Sequence, residues 1–239
     1  MKRALLFDLD GTLLPVDTHA FVEETVKIMA GQLADVIQPE RFVAAVWKAV
    51  EAVVANQDEN LTNEQVFYHT FFSHTDLDRE EIIPKVERFY HEVFPTLGHL
   101  CQPTPLAKEI VEEAKRQGYV LVVATNPLYP RQAIWTRMQW AGVDHIPFAL
   151  VTTYENCSFA KPNLAYYEAI CQRIGMEPKQ CIMVGNDMQE DMCAIQLGMK
   201  TFLVTDWLID RGTPRYTPHD EGSLAQLYER LRRKEGVFA

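Results

Sequence analysis

"PLAKEIVEEAKRQGYVLVVAT", residues 105–125, holds the unit from which the fold is built. From Leu106 to Ala114 apolar side chains recur at helical spacing. Gly118 follows, and then a continuous apolar run from Tyr119 to Ala124. Glycine just past a helix suits the left-handed position that ends it. The unit then repeats. Residues 129–141 lead to Gly142 and, after a short link, "FALVTT" (148–153). Residues 162–174 lead to Gly175 and "CIMVG" (181–185), and residues 188–197 lead to Gly198 and "KTFLVT" (200–205). Short apolar runs alternating with helices predict parallel strands buried on both faces.

The expected fold class is therefore α/β, a Rossmann-like parallel sheet with helices packed on it. Its first strand falls at residues 3–8, inside "RALLFDLDGTLL" (3–14). Residues 16 to 97 differ in character. "HAFVEETVKIMAGQLADVI", "PERFVAAVWKAVEAVVANQ", "NEQVFYHTFFSH" and "REEIIPKVERFYHEVF" all carry apolar residues at helical spacing. Pro39 suits a helix start and Pro95 closes the block. These stretches predict a four-helix bundle inserted after the first strand, as a cap over residues 16–97. Residues 1–15 and 98–239 form the α/β core. The tail "YTPHDEGSLAQLYERLRRKEG" reads as a loop and a final amphipathic helix.

Composition narrows the function. The chain has 239 residues, 47% of them hydrophobic, enough for one sizeable core. A net charge of −10 argues against a basic surface for nucleic acid. No stretch reaches the roughly 20 apolar residues of a membrane span. The apolar run behind Met1, Lys2 and Arg3 stops at Asp8, short of the roughly 7–15 residues of a signal peptide. The expectation is a soluble, cytoplasmic protein. Cys101, Cys157, Cys171, Cys181 and Cys193 form no C-x-x-C pair and read as reduced, buried thiols.

In open parallel sheets ligands bind beyond the carboxyl ends of the strands. "ALLF" leads to Asp8, Asp10, Gly11 and Thr12; "YVLVVA" leads to Thr125 and Asn126; "CIMV" leads to Gly185, Asn186, Asp187 and Asp191. Lys161 precedes Pro162 at the start of the helix before "CIMV" and can face the same edge. Several carboxylates at one edge repel unless a proton or a cation intervenes. A hard divalent ion is the natural partner, and Mg²⁺ prefers carboxylate and water oxygens. Asp8 and Asp187 are the best side-chain ligands, with the Asp10 backbone carbonyl as a third. Lys161 offsets the remaining charge. The Thr125 hydroxyl and the backbone N–H groups near Gly11, Thr12 and Asn126 can cradle phosphate oxygens.

This set resembles the haloacid dehalogenase superfamily of hydrolases, with "DLDGTL", Thr125, Lys161 in "AKPNLAYYEAI" and "GNDMQED" standing in that family's order. The helical insertion looks like the family's C1 cap. The resemblance implies a Mg²⁺-dependent phosphatase acting on a small phosphorylated metabolite through an aspartyl-phosphate. Asp8 would be the nucleophile and Asp10 the acid and then the base. Thr125 and Lys161 would hold the phosphoryl oxygens. Many members carry Asp directly after the fourth-motif glycine, where this chain has Asn186. Asp187 is assigned to the metal, directly or through water. Asp191 is assigned to Lys161 or to a metal-bound water, and the choice of ligand between the two stays open.

A phosphomutase on the same core would share all four motifs. A dehalogenase is disfavoured by Asp10. A phospho-receiver signalling domain places its phosphorylated Asp after the third strand, where this chain has "VTTYE". Loss of activity in a pure interaction protein is hard to square with Asp8, Asp10, Thr125, Lys161 and Asp187 together. Among the cap residues, His69, His74, Lys48 and Trp47 read as surface or capping groups that could reach a substrate. Asp17 follows the first motif and reads either as shaping the hinge of the insertion or as capping its first helix.

Overall fold

The computed structural model describes residues 2–239. Strands β1 (Ala4–Phe7), β2 (Val120–Val123), β3 (Leu150–Val151), β4 (Cys181–Gly185), β5 (Lys200–Val204) and β6 (Asp220–Gly222) form one sheet in the order β3-β2-β1-β4-β5-β6. Every pairing is parallel; Ala4 lies opposite both Val120 and Cys181. After β3 the chain crosses back to the other side of β1, so the strand order reverses between β1 and β4. That reversal opens a crevice at their carboxyl ends.

The continuous apolar runs are explained by burial on both faces. Leu5 and Phe7 of β1 join one core with Leu121, Val123, Ile182 and Val184. Ala4 and Leu6 join the other with Val122, Cys181 and Met183. The first face is covered by α5 (Pro105–Arg116), α6 (Arg131–Trp140) and α8 (Leu224–Arg233). The second is covered by α7 (Leu164–Ile174) and a 3₁₀ segment at Met192–Leu197, where a regular helix was expected over 188–197. Helix ends follow the sequence signals. Asn163 caps α7 and Gly175 ends it at φ 65°, where a side chain would be strained.

Between β1 and α5 stand α1 (Thr18–Gln32), α2 (Pro39–Ala55), α3 (Asn63–Ser73) and α4 (Arg79–Arg88). Asp17 caps α1 by accepting from the Ala20 N–H, and Pro39 opens α2. Thr62 and Gln65 form a reciprocal capping box on α3. Pro95 does not close the block. Helical structure runs on from α4 through a wide turn at Phe89–Val93 and a 3₁₀ stretch at Phe94–Leu100, with Pro95 in its first turn.

The second departure is β6, which lies in a stretch expected to be loop. It has three residues, Asp220, Glu221 and Gly222, with no apolar run to announce it. It forms because β5 offers a free edge, and Arg230 of α8 pairs with Asp220. Among the described residues no helix is long and apolar enough to cross a membrane. All five cysteines are free, and four are buried.

Candidate active site

The carboxyl ends of β1, β2 and β4 open into a cleft of about 740 Å³. Asp8, Asp10, Thr125, Asn126, Lys161, Asn186, Asp187 and Asp191 all line it. The sequence-predicted groups are thus brought to one place, with Gly11 and Thr12 in the turn beneath. Gly11 has φ +78°, and a Cβ there would lie 2.3 Å from Asn186 Nδ2. The turn needs glycine both for its backbone and for that close approach.

Lys161 is buried, and its ammonium lies 2.8 Å from Asp8 Oδ1 and 2.6 Å from Asp191 Oδ1. Burial alone would depress its pKa, but the charges of Asp191 and Asp8 outweigh burial and hold it well above the ordinary lysine value. The other Asp191 oxygen accepts from the Asp187 backbone N–H at 3.0 Å. Both oxygens of Asp191 are therefore engaged by protein donors. A Cβ on Gly185 would fall 2.1 Å from Asp191 Oδ2, so the strand end is glycine to admit that carboxylate.

Asp10 is held differently. Arg137 of α6, itself 1% exposed, donates from one guanidinium nitrogen to Asp10 Oδ2. The guanidinium also lies over the Tyr129 ring, 4.3 Å from its centroid. Asp10 Oδ1 is buried without a hydrogen-bond partner. Burial raises the Asp10 pKa, Asp8 adds to the rise, and Arg137 opposes it without cancelling it.

Asp187 carries the third cation. Arg211 approaches both its oxygens at 2.8 and 2.7 Å, and the Gln189 and Glu190 N–H groups donate to Oδ1. Glu190 lies alongside, with its pKa pushed up to about 7 by burial and by Asp187. Asn186, in place of the expected aspartate, is fixed by Thr12 Oγ1 at 3.1 Å and by donating to the Trp207 carbonyl at 2.6 Å. Asn126 uses its side chain to brace the site: Nδ2 donates to Glu190 at 2.9 Å and Oδ1 accepts from the Lys161 N–H at 3.2 Å. The Thr125 carbonyl accepts from Thr152 and Tyr166, which fixes the loop after β2.

Sequence reasoning missed Arg137 and Arg211. Arg137 leaves a trace: it shares a helical face with buried Ala133, Ile134 and Ala141, where an arginine demands a counter-charge. Arg211 sits in an irregular loop and leaves none. Lys48 pairs with Glu51 on the surface, while His69 and His74 are exposed on the inserted helices, with neither histidine in the cleft. Trp47 does line the cleft.

In the structure each carboxylate is held by a protein cation, and among the described residues no three His, Cys, Asp or Glu side chains converge as a metal-ion cluster. The donor chemistry nevertheless fits a hard divalent ion. Asp8 and Asp187 stand at the ends of the adjacent strands β1 and β4, and with the Asp10 carbonyl they offer oxygen alone.

A parallel sheet with a switch-point crevice and an Asp–Lys–Asp triad defines a class of enzymes, and comparison with known proteins names it. The family model for haloacid dehalogenase-like hydrolases matches residues 2–197. The chain belongs to that family. A glyceraldehyde 3-phosphate phosphatase from Methanothermobacter thermautotrophicus is 28% identical over 212 residues, covering 88% of each chain. A phosphoglycolate phosphatase from Pasteurella multocida is 26% identical over 192 residues, covering 80% of each. The solved structure of a HAD phosphatase from Thermococcus onnurineus shares the fold, with a TM-score of 0.59 at 22% identity over 97% of this chain and 98% of that one.

Proposed function

We propose that the protein is a Mg²⁺-dependent phosphatase that hydrolyses a small phosphomonoester through an aspartyl-phosphate on Asp8. The observation that carries this reading is the buried Lys161 ammonium 2.8 Å from Asp8 Oδ1, beside an Asp10 whose free oxygen has no partner. The names of the curated relatives support phosphate esters as substrates.

Lys161 holds Asp8 aimed into the cleft, and it neutralises charge on the phosphoryl oxygens together with the Thr125 hydroxyl. An Asp8 oxygen forms a bond to phosphorus as the bond from phosphorus to the ester oxygen breaks. Asp10, whose raised pKa favours its protonated form, gives its proton to the departing oxygen. With the alcohol gone, the Asp10 carboxylate takes a proton from water. The water oxygen bonds to phosphorus and the Asp8–phosphorus bond breaks, releasing phosphate. Asp191 positions Lys161. Held by Asp8, Asp187 and the Asp10 carbonyl, Mg²⁺ would supply positive charge against the phosphoryl oxygens.

The test is phosphate release from a panel of phosphomonoesters with Mg²⁺ present, by the wild type and by Asp8→Asn. The wild type is expected to release phosphate and Asp8→Asn to release none while keeping its thermal midpoint. Comparable release by both would remove Asp8 from the chemistry.

A further inference from the structure

Beside the catalytic cleft, under the inserted helices, lies a second cavity of about 110 Å³. The two share a wall, since Val22, Trp47, Leu128 and Tyr129 line both. The second cavity is lined by aliphatic and aromatic side chains, with no charged residue among those lining it. Its one threonine, Thr25, is 1% exposed, and the hydroxyl has no hydrogen-bond partner. At the mouth of the cleft, Trp47 of α2 and Leu208 of the loop after β5 are large apolar side chains left 40% and 46% exposed. An apolar cavity next to a phosphate-type cleft has the layout of a leaving-group pocket.

We propose that this cavity receives the organic half of the substrate, and that the substrate is a phosphomonoester whose alcohol carries an uncharged, apolar group. The inference rests on the phosphatase reading. A cavity of about 150 Å³ accepts benzene, so this one takes a chain of about four carbons. A carboxylate, as in phosphoglycolate, or a second phosphate would enter without a cation to meet it. Burying either charge unpaired is strongly unfavourable.

The test uses the full-length protein and two readouts. Binding of methyl-, ethyl-, propyl-, butyl- and hexylphosphonate is measured by calorimetry with Mg²⁺ present. Phosphate release is measured from p-nitrophenyl phosphate, phosphoglycolate and the matching alkyl phosphates. Affinity is expected to rise roughly threefold to fourfold per methylene up to butyl, the worth of one buried methylene, and then to level off. Butyl phosphate should exceed phosphoglycolate in kcat/KM. Val46→Phe, which fills the cavity from α2, should erase the butyl advantage and leave methylphosphonate binding unchanged. Thr25→Val keeps the shape and removes the lone hydroxyl, so it should hold butylphosphonate at least as tightly as the wild type. If Val46→Phe does not fold, Thr25→Val and the chain-length series still decide. A flat series with p-nitrophenyl phosphate turned over, or loss of butyl binding in Thr25→Val, would overturn the pocket assignment and leave the phosphatase reading standing. No phosphate release from any ester would overturn both.

Discussion

The Arg137 guanidinium of α6 closes on the Asp10 carboxylate of the β1 loop, across 127 residues of chain, and rests on the Tyr129 ring as it does so. The contact fixes one oxygen of Asp10 and leaves the other free. An acid that must deliver a proton to one place needs such an anchor.

Arg137→Met tests that anchor. Breaking a buried ion pair by removing one partner costs about 3–5 kcal/mol, so the thermal midpoint should fall clearly. Turnover should fall by about 10²-fold through misplacement of Asp10. The loss should be greatest for esters with poor leaving groups, which depend most on protonation. Equal losses across a leaving-group series would show that Arg137 acts on stability alone.

Asp10→Asn removes the proton and keeps the shape. Turnover should drop by about 10² to 10⁴, the usual worth of a positioned proton-transfer group. The first chemical step with p-nitrophenyl phosphate should suffer least, because its leaving group needs little help. Rapid-quench measurement of that step against an alkyl phosphate reads the difference. A small loss for every substrate would make Asp10 structural.

Asp187 and Asp191 should part company on Mg²⁺ titration. Asp191 spends both oxygens on Lys161 and the Asp187 N–H, whereas Asp187 faces only a half-exposed arginine and the turn that follows it. Asp187→Ala should raise the Mg²⁺ concentration for half-maximal activity more than Asp191→Ala does. Asp191→Ala should instead lower the thermal midpoint, by leaving Lys161 under-compensated. The reverse order of Mg²⁺ shifts would make Asp191 the ligand.

Arg211 contests the same carboxylate, lying 2.8 and 2.7 Å from its two oxygens. A cation binding at Asp187 must displace it. Arg211→Gln is therefore expected to tighten Mg²⁺ binding, by about fivefold or more, since exposed pairs contribute about 0–1 kcal/mol and this one is buried at its Asp187 end. Calorimetric titration of Mg²⁺ without substrate measures this independently of turnover. Weaker binding in the variant would mean that Arg211 supports the site rather than competes for it.

The sheet was legible where burial on both faces writes a continuous apolar run, as at Leu5–Phe7, Leu121–Val123 and Ile182–Val184. It was illegible at β6, whose Asp220 and Glu221 join the β5 edge with no apolar run to announce them. The acidic residues and Lys161 could be placed because strand ends in a parallel sheet converge by topology. The cations that hold Asp10 and Asp187 could not. Arg137 reaches its partner from a helix of mixed pattern, and Arg211 from a loop whose path is set by Gln189 and Asp210. Tertiary pairing of that kind leaves no period in the sequence. Pro95 misled for a related reason: it marks a first turn as readily as an end.

A phosphoryl group carried by Asp8 itself is an acyl phosphate, and that species can be trapped. Wild type and Asp8→Asn would be quenched with acid during turnover of a phosphomonoester with Mg²⁺ and treated with borohydride, which reduces an acyl phosphate to an alcohol. Peptide mapping by mass spectrometry would then locate the change. The reduced side chain is expected at residue 8 in the wild type, in proportion to the intermediate present, and nowhere in the variant. Steady turnover with no modification at residue 8, or with the label on another residue, would contradict it.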